Sequence, residues 1–243
     1  PMRTDGRRVD ELRPCTIEPH FIRSALGSVL ITAGKTRVIC TASMEERAPG
    51  WLQSGGWVTA EYSMLPGATQ PRGRRDPGGR GKEIQRLIGR SLRACVDLSR
   101  LVGANGAISI VCDCDVIEAD GGTRTASITG AFVALHHALR ELRARGVLKD
   151  DPIVSPVAAV SVGLVPIGDD PTVAVLDLPY VEDSAAAVDL NVVQLGSGGL
   201  VEVQGTAEHG AFSRAQLDAM LDLADRGIGE LQRIQREACE VPR

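Results

Sequence analysis

The chain has 243 residues, of which 43% are hydrophobic, and a formal net charge of −4 at pH 7. This length supports one large domain or two small ones with a substantial core. No apolar run of about 18 residues occurs, so we expect neither a transmembrane helix nor a membrane partner. The first residues include no apolar segment of the secretory type, which favours a cytoplasmic protein. The acidic balance alone argues against a nucleic-acid partner.

The first part of the chain predicts three strands, a basic loop and a helix. Two β-branched segments joined by a Gly-Lys turn predict a hairpin, and a third alternating segment predicts another strand. The loop 66–81, rich in glycine and arginine, leads to a helix predicted over residues 82–100, where apolar residues recur every three or four positions. The three strands are predicted at 28–34, 36–43 and 56–65.

The rest of the chain predicts further strands with single helices between them. A helix is predicted over 126–145 and stopped by Gly146, and another over 213–236. The order of elements indicates an α+β protein with a mixed sheet, not a doubly wound parallel sheet. No low-complexity linker divides the chain, so we expect one domain over residues 1–243. The remaining strands are predicted at 107–117, 155–165, 172–178, 186–195 and 199–205.

A basic region contrasts with the acidic net charge. Between Arg72 and Arg93, eight basic side chains stand against two acidic ones, Asp76 and Glu83. A solvated helix face would explain the helical arginines, whereas the basic loop directly before them favours a surface for a polyanion. The arginines concerned are Arg72, Arg74 and Arg75 in the loop, and Arg86, Arg90 and Arg93 on the helix.

The stretch "ADGGTRTASITG", residues 119–130, connects a predicted strand to a predicted helix. A helix N-terminus offers free backbone N–H groups and the positive end of the helix dipole, which together bind anions. Gly121 and Gly122 permit close approach of a ligand, and the Arg124 fork suits phosphate. An ordinary capped turn fits the same pattern, and both interpretations stay open. Three hydroxyls add donors: Thr123, Thr125 and Ser127.

Residues 177–191 form a second polar cluster. Asp177 ends an apolar strand, Asp183 follows a bend that contains proline, and Asp189 lies in the next alternating segment. Carboxylates at strand ends suit Mg²⁺, which prefers few carboxylates together with phosphate oxygens. Exposed turn acids are the alternative. Neither a Walker phosphate loop nor a GxSxG nucleophile motif occurs, so nucleotide hydrolysis and serine hydrolase chemistry have no support from their usual motifs.

Several long motifs carry a resemblance that covers nearly the whole chain: "GWVTAEYSMLP", "CDVIEADGGTRTASITGA" and "LDLPYVEDSAAAVDLNVV". With them the chain resembles the bacterial ribonuclease PH family, phosphorolytic 3′-to-5′ exoribonucleases that trim tRNA precursors. The resemblance implies an α+β fold like the second domain of ribosomal protein S5, with duplicated β-α-β halves, mixed sheets and packed helices. It also implies a homo-hexamer, a trimer of dimers, that acts on tRNA precursors and other structured RNA 3′ ends.

The resemblance further implies site residues and co-substrates. Inorganic phosphate is the co-substrate, and its site is implied at Arg80, Gly122, Thr123 and Arg124. The family's acidic pair matches Asp177 and Asp183, as catalytic residues and ligands of Mg²⁺ or Mn²⁺, and Asp183 could instead act as a general acid. The RNA-binding loop matches the region of Arg72, Arg74 and Arg75. This loop is shorter than is usual in the family, and Gly81 stands where a threonine is usual.

Three rival functions fit parts of the pattern. A catalytically inert ring subunit that only threads RNA conflicts with the intact "GGTRT" and both aspartates. A small-molecule kinase on a related fold would need a glycine-rich ATP loop, which the sequence lacks. Hydrolysis in place of phosphorolysis would release nucleoside monophosphates, so the products distinguish it.

Overall fold

The computed structural model describes residues 3–75, 78–208 and 210–243. Two positions of the predicted loop lie outside the described residues: Asp76, one of the two acidic residues in the basic region, and position 77. Within the described residues, two β-sheets enclose a layer of helices, which confirms the predicted α+β fold.

The first sheet has five strands in the order β1-β2-β3-β7-β4. Strand β4 runs parallel to β7, and the other pairs are antiparallel, so this sheet is mixed as predicted. A separate two-stranded ladder joins β5 and β6. The strands are β1 Cys15–Pro19, β2 Gly27–Ala33, β3 Thr36–Glu45, β4 Trp57–Met64, β5 Val102–Gly103, β6 Gly106–Ala107 and β7 Ser109–Glu118.

The second sheet has four strands in the order β11-β10-β8-β9, and each described pair in it is antiparallel. Its strands are β8 Val157–Ile167, β9 Asp170–Leu176, β10 Val188–Leu195 and β11 Leu200–Ala207. Strand β8 is buried along nearly its whole length because its alternate residues pack into different hydrophobic clusters: Val157 and Ala159 join one, and Ala158, Val160, Val162 and Leu164 join another.

The helix layer separates the sheets. Helix α1 packs on β4 and reaches β11, α2 lies between β2, β3 and β7 on one side and β8 on the other, and α4 packs on β1, β8 and β9. Helix α2 is therefore buried on nearly every side. None of the described helices has the length and apolar character needed to cross a bilayer. The helices are α1 Gly78–Ala94, α2 Thr123–Ala144, α3 Tyr180–Asp183 and α4 Arg214–Glu240.

Helix α1 differs from the prediction at both ends. It begins at Gly78, inside the predicted loop, because its first turn carries no apolar residue from which periodicity could reveal it. It ends at Ala94, because Val96, two residues later, pairs with Ile153 in an antiparallel β-bridge. Arg80 consequently lies in the first turn of a helix and not in a loop.

Strand β1 was not predicted from the sequence. Its five residues alternate between half-buried and exposed, and the segment ends in Pro19. A short edge strand with a proline has too weak a pattern for sequence recognition.

The contact between β2 and α2 gives a first prediction. A Cβ on Gly27 would lie 1.9 Å from the Ala134 carbonyl oxygen of α2. We expect Gly27→Ala to lower the free energy of unfolding by about 3 kcal/mol, because helix and strand must separate. Urea unfolding would measure this change.

The matched control is Gly229→Ala on the exposed face of α4, where an added Cβ meets nothing within 4 Å. This change should stabilise the protein by about 0.5–1 kcal/mol through helix propensity. Equal effects of the two substitutions would contradict the close packing of β2 on α2.

Candidate functional site

A cleft of about 570 Å³ opens where the N-terminus of α2, the loop before α1 and the segment from α3 to β10 meet. It brings together side chains that the sequence placed far apart: Arg80, Thr123, Arg124, Asp183 and Asp189. A larger groove of about 1180 Å³ lies between β1 and α4. There, however, the buried guanidinium groups of Arg7 and Arg13 are already engaged by acids of the chain. The smaller cleft is therefore the candidate site.

The turn before α2 forms one wall of the cleft. Gly121 and Gly122 have φ values of 75° and 66°, in the left-handed region that favours glycine. A Cβ on Gly121 would lie 2.5 Å from the Leu178 carbonyl oxygen, so this turn packs directly against the chain that leads into α3. Gly122 is the N-cap residue of α2, and no described side chain caps the helix there. The first N–H groups of α2 are therefore available to an anion.

The hydroxyls near this turn have other partners than expected. Thr125 donates to the Gly122 carbonyl at 3.0 Å, and Ser127 donates to the Thr123 carbonyl at 2.7 Å. The Thr123 hydroxyl lies 2.9 Å from the hydroxyl of Tyr62 on β4. The expectation that Thr125 and Ser127 supply donors to an anion is wrong, because both donate to carbonyls of their own helix. The backbone and Arg124 remain as the donors of this wall.

Two arginines face the cleft from different elements. Arg124 Nη1 donates to Gln204 Oε1 at 2.9 Å and lies 3.6 Å from Glu83 Oε1, so β11 and α1 both orient its fork. Arg80 projects from the first turn of α1 into the same cleft. The charges of Arg80 and Arg124 both act on Asp183, which shows that the two arginines lie near one point.

Two carboxylates line the same cleft as the arginines. Burial raises the pKa of Asp183, although Arg80 and Arg124 act against the shift. Burial and then the charge of Asp183 raise the pKa of Asp189 to about 6. Asp189 Oδ1 is buried and has no hydrogen-bond partner among the described residues. This wall of the cleft therefore holds two coupled carboxyl groups, of which one has an unused oxygen.

The family resemblance implies that Asp177 pairs with Asp183, and the environment of Asp177 does not suit this role. It does not line the cleft, and its side chain is largely buried. Asp177 Oδ2 accepts hydrogen bonds from the backbone N–H and Nε of Arg13 at 2.8 and 3.0 Å, and Oδ1 accepts from Nη2 at 2.7 Å. With both oxygens engaged, the structure favours Asp189, not Asp177, as the partner of Asp183.

The electrostatics of Asp177 follow from these contacts. Burial alone would raise its pKa, but the hydrogen bonds and charge of Arg13, with a smaller effect of Arg7, hold the pKa below its ordinary value. Asp177 has a left-handed backbone with φ of 56°, and its carbonyl accepts from Arg3 and Arg7 at 2.9 Å each. Asp177 is therefore a fully bonded structural carboxylate.

Arginines of the N-terminal segment, residues 3–13, hold the chain around α3. Arg3 Nε lies 3.1 Å from both carboxylate oxygens of Glu182, and Arg3 Nη1 donates to the Leu176 carbonyl at 2.6 Å. Arg13 Nη1 donates to the Asp120 carbonyl, also at 2.6 Å. These bonds tie the turn before α2 to the segment that carries Asp183.

The six predicted RNA-binding arginines have unequal environments. Arg74 and Arg75 line the cleft, and Arg72 and Arg86 are exposed. Arg90 is held by an ion pair with Glu202 on β11.

Arg93 is also engaged by its own chain. It lies 4.4 Å above the Trp57 ring and donates to the Val58 carbonyl at 2.9 Å. The helical arginines therefore do not form a uniform free stripe, and of the six arginines only Arg74 and Arg75 line the cleft.

Some site residues were missed by sequence reasoning. Asp189 stands in the predicted acidic cluster, and only its burial beside Asp183 distinguishes it. No nearby sequence pattern indicates a role for Arg13 or Gln204 in the site. The partner of Arg13, Asp177, is 164 residues away in the chain, and the partner of Gln204, Arg124, is 80 residues away. Tyr62 lies in the motif "GWVTAEYSMLP", where the sequence indicates only a core residue.

The carboxylates of the cleft supply part of the ligand set that a divalent cation needs. Across the described ranges, no group of three or more His, Cys, Asp or Glu side chains is arranged to hold a metal ion. Asp183 and Asp189 supply two carboxylates, and Mg²⁺ commonly binds one or two carboxylates together with phosphate oxygens and waters. The unused Oδ1 of Asp189 fits this mode. A cation here would depend on oxygens from the substrates.

Comparison with known proteins identifies relatives over most of the chain. The 3′ exoribonuclease family matches through its domain 1 at residues 11–141 and its domain 2 at residues 155–227. Ribonuclease PH of Bacillus velezensis is 54% identical over 97% of this chain and 96% of its own length. Ribonuclease PH of Bacillus pumilus is also 54% identical, over 95% of each chain.

A solved structure supports the fold. A chain of the Archaeoglobus fulgidus exosome, solved with RNA bound to the active site, superposes with a TM-score of 0.82 and covers 96% of this chain and 92% of that one. At 23% identity, this similarity concerns the fold alone.

The ion pair of Asp177 gives a second prediction. We expect Asp177→Asn to lower the free energy of unfolding by about 3–5 kcal/mol at neutral pH, because Arg13 keeps a buried, unpaired charge. Since the folded-state pKa of Asp177 lies below 3.8, its contribution is complete above that pH and is lost as the pH falls through the lowered pKa. The difference between variant and wild type should therefore shrink in acid. Urea unfolding at several pH values would measure it.

The exposed Asp150 provides the matched control, and Asp150→Asn should leave stability unchanged at every pH. A stability difference for Asp177→Asn that persists unchanged well below the ordinary aspartate pKa would show that Asp177 is not held as a carboxylate.

Proposed function

The chain belongs to the ribonuclease PH family of 3′ exoribonucleases, and from this membership we propose that it trims the 3′ ends of tRNA precursors and other structured RNAs. The family activity is phosphorolytic exoribonuclease and tRNA nucleotidyltransferase activity. In this reaction an oxygen of inorganic phosphate attacks the terminal phosphodiester in line, and the bond from phosphorus to the 3′ oxygen of the preceding nucleotide breaks. A nucleoside diphosphate and a shortened RNA with a 3′ hydroxyl result.

One observation carries this proposal: Arg80, Arg124, Asp183 and Asp189 line one cleft, and the charges of both arginines act on Asp183. Phosphate and RNA are both anions and repel each other, so a site that joins them must neutralise both. Fixed positive groups on one wall can hold the phosphate, and carboxylates on the other can hold a cation or a proton.

We assign the attacking phosphate to the turn before α2. The uncapped N–H groups after Gly122 and the dipole of α2 favour an anion there, and the Arg124 fork lies beside them. Gln204 and Glu83 already orient Arg124, so its guanidinium loses little freedom when phosphate binds. Arg80 adds a second positive charge from α1.

We assign Asp183 and Asp189 as the acidic pair of the reaction, with Asp177 as a structural residue that positions them. Mg²⁺ or Mn²⁺ fits the two carboxylates, and such an ion, when bound, would neutralise charge that develops on the reacting phosphate. The leaving 3′ oxygen needs a proton. A raised pKa favours the protonated form of a carboxyl group, so Asp183 and Asp189 are both candidates for the general acid.

RNA bound in the cleft would meet Arg74 and Arg75 on its way in. Contacts of this kind act on the phosphate backbone, depend steeply on salt and read no bases. They suit an enzyme that removes nucleotides of every type in turn.

Both halves of the chain supply the cleft. Arg124 comes from the half that matches domain 1, and Asp183 and Asp189 come from the half that matches domain 2. We propose that residues 1–243 act as one catalytic unit, and that six copies assemble as a trimer of dimers. Cytoplasmic residence is part of the same proposal.

The product of the reaction tests the proposed function. Incubation of the protein with a 3′-extended tRNA should release nucleoside diphosphates only when phosphate is present. Arg124→Ala should reduce that rate by about 10²–10³-fold, because one preorganised contact to the phosphate is lost. Binding of the tRNA measured without phosphate should stay close to that of the wild type. Chromatography of the products would identify them.

The matched control is Arg143→Ala, at the other end of α2, where the arginine pairs with Asp151 at 3.2 Å on the surface. It should retain full activity. Release of nucleoside monophosphates independent of phosphate would indicate hydrolysis, and no release at all would indicate an inert RNA-binding subunit. Undiminished phosphorolysis by Arg124→Ala would overturn the assignment of the phosphate site.

The pKa of Asp189 gives a fourth prediction. Because it is raised to about 6, the carboxylate that a cation needs is depleted as the pH falls below that value. The Mg²⁺ concentration for half-maximal phosphorolysis should therefore increase from about pH 7.5 to about pH 5.5. Asp189→Asn should need more Mg²⁺ at the higher pH and lose this dependence. Steady-state rates across a Mg²⁺ titration would measure both effects.

The exposed Asp170 supplies the control, since Asp170→Asn changes a carboxylate outside the cleft. Full activity of the wild type in excess chelator would contradict a cation at this pair. Added Mg²⁺ distinguishes the two candidate roles of Asp183. Excess Mg²⁺ should partly restore the activity of Asp183→Asn if Asp183 is a metal ligand. It should not restore that activity if Asp183 is the general acid.

A further inference from the structure

An exposed tyrosine stands at the wall of the cleft without a role in the proposed reaction. Tyr180 is 65% exposed, although only 3% of the chain is aromatic. Two aromatic side chains line the cleft within the described part of the chain, Tyr62 and Tyr180. Tyr62 is buried and its hydroxyl meets Thr123, so its ring is not available to a ligand. Tyr180 therefore supplies the exposed aromatic ring of this cleft.

The backbone of Tyr180 is held rigidly. Its N–H donates to Asp120 Oδ1 at 3.3 Å, and a Cβ on Gly121 would lie 2.9 Å from its nitrogen. Two residues further, Glu182 is fixed by the buried Arg3. A ring on such a support loses little freedom when a flat ligand covers it, which favours binding.

The position of Tyr180 relative to the acidic pair is also determined. Tyr180 and Asp183 begin and end the single turn of α3, and residues three apart lie on the same side of a helical turn. Both line the cleft. A ring next to Asp183 is therefore next to the bond that the reaction breaks, and one of the two nucleobases that flank this bond must pass it.

We propose that Tyr180 stacks on one of the two nucleobases that flank the scissile phosphodiester and so places the RNA 3′ end against Asp183. This inference rests on the proposed phosphorolysis and adds a substrate-binding residue to it. Stacking suits an enzyme that removes successive nucleotides, because every base presents a π-face and no hydrogen-bond pattern is read. The arginines hold the backbone, and the tyrosine sets the position of the base.

The test compares Tyr180→Ala with Tyr180→Phe in phosphorolysis of a short oligoribonucleotide. Tyr180→Ala should raise the KM for RNA about tenfold, with kcat and the KM for phosphate nearly unchanged, because one stacked base is lost. Tyr180→Phe keeps the ring and should behave like the wild type. Val181→Ala is the matched control, because Val181 is 57% exposed but does not line the cleft.

Oligoribonucleotides with an abasic site make the test specific. An abasic last or next-to-last nucleotide should weaken binding to the wild type about tenfold at one of these positions, and should weaken Tyr180→Ala no further. Equal losses in wild type and Tyr180→Ala at both positions would overturn the stacking. So would a change of oligomer mass in Tyr180→Ala, which would show that the ring contacts another copy. Absence of nucleoside diphosphates with the wild type would instead refute the proposed function itself.

Discussion

The buried ion pair of Arg13 and Asp177 is the contact on which the candidate site depends. Both side chains are at most 10% exposed. Two hydrogen bonds join the side chains, and the Arg13 backbone N–H donates a third to the Asp177 carboxylate. The same guanidinium reaches the Asp120 carbonyl in the turn before α2. One side chain thereby connects the segment that leads to α3 with the turn that would bind phosphate. Such a pair adds little net stability over an apolar contact, but removal of one partner is costly, so it fixes geometry more than it strengthens the fold.

The charges of the cleft are separated in a way that the net charge of −4 does not reveal. Arg80 and Arg124 line the cleft with the N-terminus of α2, and Asp183 and Asp189 line it as well. Burial, and then the charge of Asp183, raise the pKa of Asp189 to about 6. A local field of this kind can bind one small anion and one cation or proton side by side, even in an acidic protein.

Sequence patterns predicted the strands and helices whose apolar residues repeat, and they missed those without such a repeat. Helix α2 was expected over residues 126–145, and it is buried on nearly all sides because two sheets cover it. Strand β1 is too short for its alternation to be recognised and was missed, and the first turn of α1 has no apolar residue and was assigned to a loop. The pairing of Asp183 with Asp177 rested on the resemblance to the family, whereas in the fold Asp177 bonds to Arg13 and the charge of Asp183 acts on Asp189.

The sequence by itself determined the family and the α+β class, because these depend on local patterns and long motifs, and it predicted the turn "GGTR" as an anion site. Only the tertiary structure decided which carboxylates face the arginines, which hydroxyls are already bonded and which aromatic ring is exposed in the cleft. The physical reason is that burial and hydrogen bonding decide what a polar side chain can do. Both depend on partners distant in the chain, such as Arg13 for Asp177 and Gln204 for Arg124.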